Sequence, residues 1–585
     1  MRMCGIFGYV GDRNASQILM QGLKDLEYRG YDSWGIAIAN NGTINVIKRK
    51  GEISKAEDLC LEGRIGIAHT RWATHGVPSD INAHPHISYD GALAIVHNGI
   101  ITNFEALRER LLKEEYKFSS DTDSEVLVNL IHSKMNDVGL LEATQAALTE
   151  VEGSYAIAVL SANHDYVVLA KKESPFLIGV GNDEMFFASD IMPMLDYTKK
   201  VITLHDGDTA VLTQNSFEVF NSDSKVTRSA TSVPWSKKEA ELGNFAHYMQ
   251  KEIHEQERTI QEALRQPAET LEAICSSLKN AERIFITAEG TSLNAGMVFD
   301  LLLSEKGYMT KCLRASELRH HKNQITQDSV VVAVSQSGET ADLISALKDI
   351  KEKNPKVVSI LNRVGSHVEQ LSDHVIYIKA GPEIGVASTK AYTGQIAVMY
   401  LLAGNLNGSL DETRSLLLST AEKVHNILAE SESEISRIVE ELKGQRDFYF
   451  IGKGINHATA LEAALKLKEI SYIHAEGFAG GELKHGPLAL IEKGVPVVVI
   501  APKDSTYQDI ISNAHEAKTR GAAIIGVSSE THTLFDYFVK IPENHSTIYP
   551  ITSVVPLQYL AYKMAVALGK NPDKPRNLAK SVTVK

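Results

Sequence analysis

Short alternating apolar runs fill the first 215 residues, and a longer period takes over beyond them. Ala92–His97, Tyr155–Leu160 and Tyr166–Leu169 are bounded by Gly, Asn and Asp, the pattern of strands joined by turns. Residues 216–244 read as a linker, polar from Asn221 to Asn244 and carrying Pro234. A helix is predicted from Phe245, with Ile253, Ile260 and Leu264 as its apolar stripe. The pattern then becomes strand, glycine-rich turn, helix, and it occurs twice. Arg283–Thr287 leads into Ala288-Glu289-Gly290-Thr291-Ser292, and Asp447–Ile451 leads into Gly452-Lys453-Gly454-Ile455-Asn456. A second strand follows in each copy, Val330–Val334 and Val497–Ile500, at a nearly constant offset of 164 to 166 residues. A repeat of that length predicts a duplicated α/β domain, each copy a doubly wound parallel sheet that binds ligands at the carboxyl ends of its strands.

The 585 residues suffice for three or four domains of about 150 residues. They divide into 4–215, the linker 216–244, the two repeats at 272–410 and 433–575, and a tail, 576–585. The formal charge is −13 without a long basic run, which disfavours a nucleic-acid or anionic-membrane partner. An anionic substrate must then be held by a local device. No apolar signal region opens the chain, and no run of about 20 apolar residues exists to span a bilayer. Cys4, Cys60, Cys275 and Cys312 are scattered, without metal-ligand spacing, and a reducing cytoplasm is the expected location.

Met3-Cys4-Gly5-Ile6-Phe7-Gly8 places a cysteine near the start of the chain. A cysteine at a mature N-terminus carries a nucleophile and a base together, since a free α-amine titrates near pH 8 and accepts a proton at neutral pH. Three further segments suit an amino-acid substrate. Arg71-Trp72-Ala73-Thr74-His75-Gly76 offers a guanidinium for a carboxylate and a bulky lid. In His97-Asn98-Gly99 the Asn98 amide and the Gly99 N–H suit a developing oxyanion. Asp121-Thr122-Asp123 supplies a carboxylate for an α-ammonium group. Taken singly, Arg71 reads as a surface ion pair, Asn98-Gly99 as a hairpin turn and Asp121 as a helix N-cap. Their joint occurrence behind Cys4 favours the chemical reading.

Ser335-Gln336-Ser337-Gly338-Glu339-Thr340 lies between a predicted strand and a helix starting near Ala341. Hydroxyls and backbone N–H groups at a helix N-terminus make an anion site without net basic charge. Thr291 and Ser292 add hydroxyls on the same sheet edge. The second copy has Pro502-Lys503-Asp504-Ser505 at the equivalent turn, so one phosphate site per chain is expected. That copy instead carries ionisable groups. Lys466 and Glu469 share a helix face, a spacing used more often for a solvent-facing ion pair, and Glu482–Pro487 sets His485 beside a rigid turn.

Residues 4 to about 215 resemble the class II glutamine amidotransferase domain of the N-terminal-nucleophile type, an αββα fold. The resemblance implies Cys4 as nucleophile, its α-amine as base, Asn98 and Gly99 as the oxyanion hole, and Arg71, Thr74, His75 and Asp123 around glutamine. Trp72 is implied as the gate to an internal ammonia path. The rest resembles the paired sugar isomerase (SIS) domains of the isomerising glutamine–fructose-6-phosphate aminotransferase family. The shared segments are Ser335–Thr340, Gly385–Lys390, Leu465–Glu476, Glu482–Pro487 and the run from Leu578 to Val584. This second resemblance implies phosphate contacts from Ser335, Gln336, Ser337 and Thr340 and sugar-site roles for Thr291, Ser292 and Ser388. Lys580, in a mobile catalytic tail, is implied as the Schiff-base lysine. His485 is implied as the ring-opening residue acting across a homodimer interface, and Glu469 as the C1–C2 proton carrier assisted by Lys466.

The implied activity joins L-glutamine and fructose 6-phosphate, with ammonia passed internally and no metal or organic cofactor. His84-Pro85-His86 reads as loop packing rather than a metal site. A relative that acts on another phosphosugar or only deaminates, and a sugar-phosphate-sensing regulator, are the alternatives; the retained glutaminase set argues against a deaminase, and a regulator would not need Lys580, Glu469 and His485. Three departures from the family pattern stand out. Met1-Arg2 precedes Met3-Cys4, so translation from Met3 with its removal, or a separate processing step, is expected to expose the amine. Trp34 and Glu289 occupy places where small residues are expected, the second beside the phosphate turn.

Overall fold

Strand alternation in the first 238 residues is resolved into two stacked antiparallel sheets. The computed structural model describes residues 4–27, 29–55, 60–72, 76–135, 138–222, 224–233 and 236–580, and the chain divides into two units. In the first unit, Gly5–Val10 lies at the middle of an eight-stranded sheet, between Ile65–Arg71 and Met185–Ala188. Leu93–Ile101 and Gly153–Ser161 pair within a seven-stranded sheet. Side chains on a strand alternate between faces. Ile6 and Val10 accordingly join Ala94, Val96, Ala156 and Ala158 in the layer between the sheets. Phe7 and Tyr9 point the other way, into a layer with Leu19 and Leu23 of the helix Ala15–Leu26. Leu93, Ile95, Ile157 and Val159 face the helices Phe104–Lys113, Asp123–Ser133 and Leu140–Leu148. The result is four layers, helix, sheet, sheet, helix.

Trp34 is absorbed into the layer beneath Ala15–Leu26, 4% exposed. The expected linker is more structured than its composition suggests. Phe217–Asn221 and Ser224–Val226 extend the seven-stranded sheet, and Ala230–Ser232 pairs with Lys200–Thr203 at the edge of the eight-stranded one. Its polar side chains sit on sheet edges, where ladder bonds need no apolar residues, while Val219 and Val233 are buried.

The second unit holds two five-stranded parallel sheets of identical order. In each, the first strand lies between the second and third, and the fourth and fifth follow outward. Arg283–Ala288 and Ser329–Ser335 are the first and third strands of one sheet, and Asp447–Gly452 and Pro496–Ile500 those of the other. A single hydrophobic cluster runs from Met249 through Tyr392 and Ile470 to Ala565, so the two copies share one core. Lys390–Leu406 and Tyr549–Ala567 are almost wholly buried in it. One helix, Leu410–Leu442, spans the interval between the two expected repeats. Among the described residues no helix is long and apolar enough to cross a membrane.

Candidate active sites

In the first unit Cys4 immediately precedes the strand Gly5–Val10, and three elements converge on it. Arg71 ends the strand Ile65–Arg71, Asn98 and Gly99 lie in Leu93–Ile101, and Asp123 begins the helix Asp123–Ser133. The Trp72 N–H donates to Cys4 Sγ at 3.3 Å, and the thiol lies 3.4 Å from the Trp72 carbonyl. Asn98 Nδ2 donates to the Cys4 carbonyl at 3.0 Å, and Arg29 Nε does so at 3.2 Å. Burial pushes the Cys4 thiol up, against the lowering pull of the Trp72 hydrogen bond and the Arg71 charge. Arg71 is itself held down by burial and up by Cys4 and Asp123. Trp72 packs edge-on against Tyr31, ring centroids 5.6 Å apart.

Gly99 is required by geometry. Its φ is 134°, and a Cβ there would stand 2.1 Å from the Ser154 carbonyl oxygen. Asp123 accepts from the Ile101 N–H at 2.9 Å. The N-cap of its helix is Thr122, whose hydroxyl accepts from the Glu125 N–H, and not Asp121. Thr74 and His75 lie outside the described residues.

In the second unit Thr340 caps the helix Ala341–Ile350, and Gly338, with φ 66°, folds the preceding loop back over its N-terminus. Ser335 Oγ accepts from the Gly338 N–H at 3.0 Å and lies 3.3 Å from the Thr340 hydroxyl. Ser337 Oγ accepts from the Glu339 N–H at 3.2 Å, and Gln336 is half-buried between the two serines. Glu289 does not face this loop: its carboxylate accepts from the Ser316 N–H at 2.8 Å. The equivalent turn of the second copy turns its own acid inward, with Asp504 accepting from Asn456 and from the Thr506 N–H and hydroxyl.

Lys466 and Glu469 do not form the solvent-facing pair that their spacing more often marks: Lys466 is fully buried and the Glu469 side chain is only 22% exposed. Lys466 Nζ is 2.6 Å from Glu469, 3.5 Å from Glu462, and donates to Thr291 Oγ1 at 2.9 Å, with Lys466 and Glu462 both fully buried. Asn294 and Thr291 donate to Glu462 at 2.8 and 3.1 Å. Burial pushes Glu462 up to about 7 although Lys466 pulls it down, and the two carboxylates keep Lys466 above its usual value. Gln395 donates to the Ser292 hydroxyl at 2.9 Å.

Lys580 reaches the loop that follows the fifth strand of the first sheet. Its Nζ donates to Glu383 at 2.5 Å, and the Ser388 hydroxyl donates to the same oxygen at 2.6 Å. Thr389 and Ala391 N–H groups donate to the other oxygen at 2.9 and 3.0 Å, so Lys580 and these donors hold Glu383 well below the usual carboxylate range despite burial. Glu252 accepts from the Ile384 and Gly385 N–H groups of that loop. Burial and the Glu383 charge push the Glu252 carboxyl up. Asp573 anchors the tail by accepting from Tyr248 and Met249 N–H at 2.9 and 2.8 Å. His485 is exposed and makes no hydrogen bond or ion pair with Lys466, Glu469 or Lys580 among the described residues.

Glu383, Glu462, Glu252 and Asn294 were not singled out by sequence. Glu383 stood five residues before Ser388 and Glu462 one turn before Lys466. Nothing in the pattern distinguished either from a surface acid until the fold buried it.

Residues 69–196 match the glutamine amidotransferase domain family, and residues 277–404 and 441–568 match the SIS domain family. Over 602 aligned positions covering all of both chains, 45% are identical to the glutamine–fructose-6-phosphate aminotransferase (isomerizing) of Thermococcus kodakarensis. The protein of the same name from Pyrococcus horikoshii is 44% identical over 597 positions, again covering all of both. Among solved structures, the C-terminal domain of glucosamine-fructose-6-phosphate aminotransferase from Francisella tularensis matches 57% of this chain and 99% of its own at 34% identity, with a TM-score of 0.52. The tagatose-6-phosphate ketose/aldose isomerase of Escherichia coli, 18% identical over 56% of this chain and 95% of its own, shares the fold with a TM-score of 0.50.

Proposed function

The chain belongs to the glutamine–fructose-6-phosphate aminotransferase (isomerizing) family, and on that footing we propose that it moves the amide nitrogen of L-glutamine onto D-fructose 6-phosphate. The products are L-glutamate and D-glucosamine 6-phosphate, the first committed intermediate of amino-sugar synthesis. The observation that carries this reading is Lys580, an amine delivered by the C-terminal segment to a loop at the carboxyl edge of a parallel sheet, 2.5 Å from Glu383.

In the first unit, removal of Met1, Arg2 and Met3 gives Cys4 a free amine, which accepts the thiol proton as sulfur attacks the glutamine side-chain carbonyl. Asn98 Nδ2 and the Gly99 N–H receive the oxyanion, and Arg71 and Asp123 grip the substrate carboxylate and ammonium groups. Thr74 and His75 complete the glutamine pocket. The amine returns its proton to the leaving nitrogen, ammonia departs, and water hydrolyses the thioester. Ammonia must avoid bulk water, where it would become ammonium and cease to be a nucleophile, so an internal path gated by Trp72 belongs to this reading.

In the second unit, the Ser335–Thr340 loop and its helix N-terminus take the phosphate, with Gln336 and Ser337 as further donors. Thr291, Ser292 and Ser388 contact the sugar. His485 opens the ring, and because it is exposed on its own chain we assign it to the site of a second copy in a homodimer. Lys580 Nζ attacks C2 and water leaves, forming an imine; ammonia then displaces the lysine. Glu469 takes a proton from C1 and returns it to C2, with Lys466 holding the carboxylate in place. A cytoplasmic location follows from glutamine and a glycolytic phosphosugar as substrates.

The test is product analysis with the full chain, glutamine and fructose 6-phosphate. Equal amounts of glutamate and glucosamine 6-phosphate are expected. Glutamate without aminated sugar, or amination of a different phosphosugar in preference, would overturn the reading.

A further inference from the structure

Four buried histidines that the mechanism leaves unused lie behind Asn98. His69 Nε2 is 3.0 Å from Asn98 Oδ1 and 3.1 Å from the His97 carbonyl oxygen. Both partners are acceptors, so this nitrogen carries the proton and donates. His69 Nδ1 is then an acceptor, and it is buried without a hydrogen-bond partner. His69 is stacked on His84 with centroids 4.2 Å apart and planes within 14°, and His84 meets His86 edge-on at 4.6 Å. His84 Nδ1 accepts from the His97 N–H, and His86 Nε2 bonds the Thr122 hydroxyl. Burial and the Arg71 charge push His69 down to about 3, burial with the neighbouring rings holds His84 well below its usual value, and burial with the Lys48 and Arg71 charges does the same for His86. His69, His84 and His86 are therefore neutral at physiological pH. Among the described residues no group of three or more His, Cys, Asp or Glu side chains is arranged to hold a metal ion.

An asparagine amide can present either end to its neighbours. Turned over, Asn98 would aim its oxygen at the Cys4 carbonyl and its NH2 at the His69 N–H, two repulsive contacts in place of two hydrogen bonds. We propose that His69 is a positioning residue for glutamine hydrolysis: it holds the Asn98 oxygen so that the Asn98 NH2 stays turned toward Cys4, whose carbonyl oxygen it reaches at 3.0 Å, and the stacked His84 keeps the His69 ring in place. The inference rests on the reading of Asn98 as the oxyanion donor.

The test uses the full chain and measures glutamate release in the presence of fructose 6-phosphate. His69→Phe keeps a flat ring on His84 and removes the donor. His69→Gln puts an amide N–H near the Nε2 position, whereas His69→Asn places it near Nδ1, out of reach of Asn98. Loss of one oxyanion donor costs about 10²–10³ in kcat, and mispositioning is expected to cost ~10- to 100-fold. His69→Phe and His69→Asn should show that fall in kcat with little change in KM for glutamine, and His69→Gln should recover most of it. Alkylation of Cys4 by iodoacetamide at the wild-type rate reports that the domain is folded; should His69→Phe fail this check, the Gln and Asn pair carries the test. Wild-type kcat in His69→Phe, or equal impairment in the Gln and Asn variants, would overturn the proposal. Asn98→Ala is measured alongside: if it keeps wild-type kcat the oxyanion reading itself is wrong, and if it alone is impaired only the role of His69 is lost.

Discussion

Glu462→Gln should change how stability depends on pH. Glu462 is fully buried and is pushed from 4.5 up to about 7. The folded chain thus keeps a proton that the unfolded chain releases between those values. A raised carboxyl destabilises as pH rises through that window, because ionising it in place costs more than ionising it in water. The shift of about 2.5 units corresponds to about 3 kcal/mol at about 1.36 kcal/mol per unit. Glutamine removes the titration while leaving an acceptor for Asn294, now 2.8 Å from the carboxylate, and an NH2 that can donate to the Thr291 hydroxyl. Lys466 retains Glu469 at 2.6 Å. Denaturant unfolding of both proteins at pH 5 and pH 8 is the assay. The variant should gain about 2–3 kcal/mol relative to the wild type between the two. A difference that is the same at both pH values would refute the burial argument for this carboxyl.

Lys580→Met should abolish aminated sugar while glutamate release persists, and the loss of Glu383's charged partner should lower stability by about 1.5–3 kcal/mol, read by thermal unfolding. Gly99→Ala should eliminate glutamine hydrolysis but leave ammonia-dependent synthesis, since its Cβ would stand 2.1 Å from the Ser154 carbonyl oxygen; a normal glutaminase rate would contradict the assigned backbone. Ser335→Ala removes the acceptor that holds the Gly338 N–H and should raise KM for fructose 6-phosphate roughly tenfold, about 1.4 kcal/mol, with kcat less affected. Because burial pushes the Cys4 thiol up, its alkylation by iodoacetamide without glutamine should keep accelerating with pH beyond the range in which an ordinary thiol has finished ionising; a plateau at lower pH than for a free thiol would show that the thiol is depressed instead.

Much of the architecture was legible because it rests on period and punctuation. The strands from Arg283 and Asp447, each followed by a glycine turn, announced two parallel sheets, and the serine loop between Ser329–Ser335 and Ala341–Ile350 was placed correctly on a helix N-terminus. The edge strands Ser224–Val226 and Ala230–Ser232 were not legible, because edge pairing uses backbone groups and leaves no hydrophobic signature. Buried charge was equally hidden. Lys466 and Glu469 have the spacing of a surface pair, and only the packing of Ile455–Ser471 against Gly290–Ser304 and Tyr549–Ala567 encloses Lys466, together with Glu462. Glu383 is identified by what converges on it, Lys580 from 197 positions away along the chain. His69 stands two positions before Arg71, and its relation to Asn98 exists only across the two stacked sheets.

The central claim is that nitrogen released at Cys4 is used at Lys580. The most direct measurement supplies the full chain with glutamine labelled by ¹⁵N in the side-chain amide, fructose 6-phosphate and unlabelled ammonium, and reads the mass of the aminated sugar. The account predicts ¹⁵N in the product of the wild type, and in Cys4→Ala only unlabelled product formed from the ammonium. Unlabelled product from the wild type while labelled ammonia accumulates in solution, or labelled product from Cys4→Ala, would contradict it.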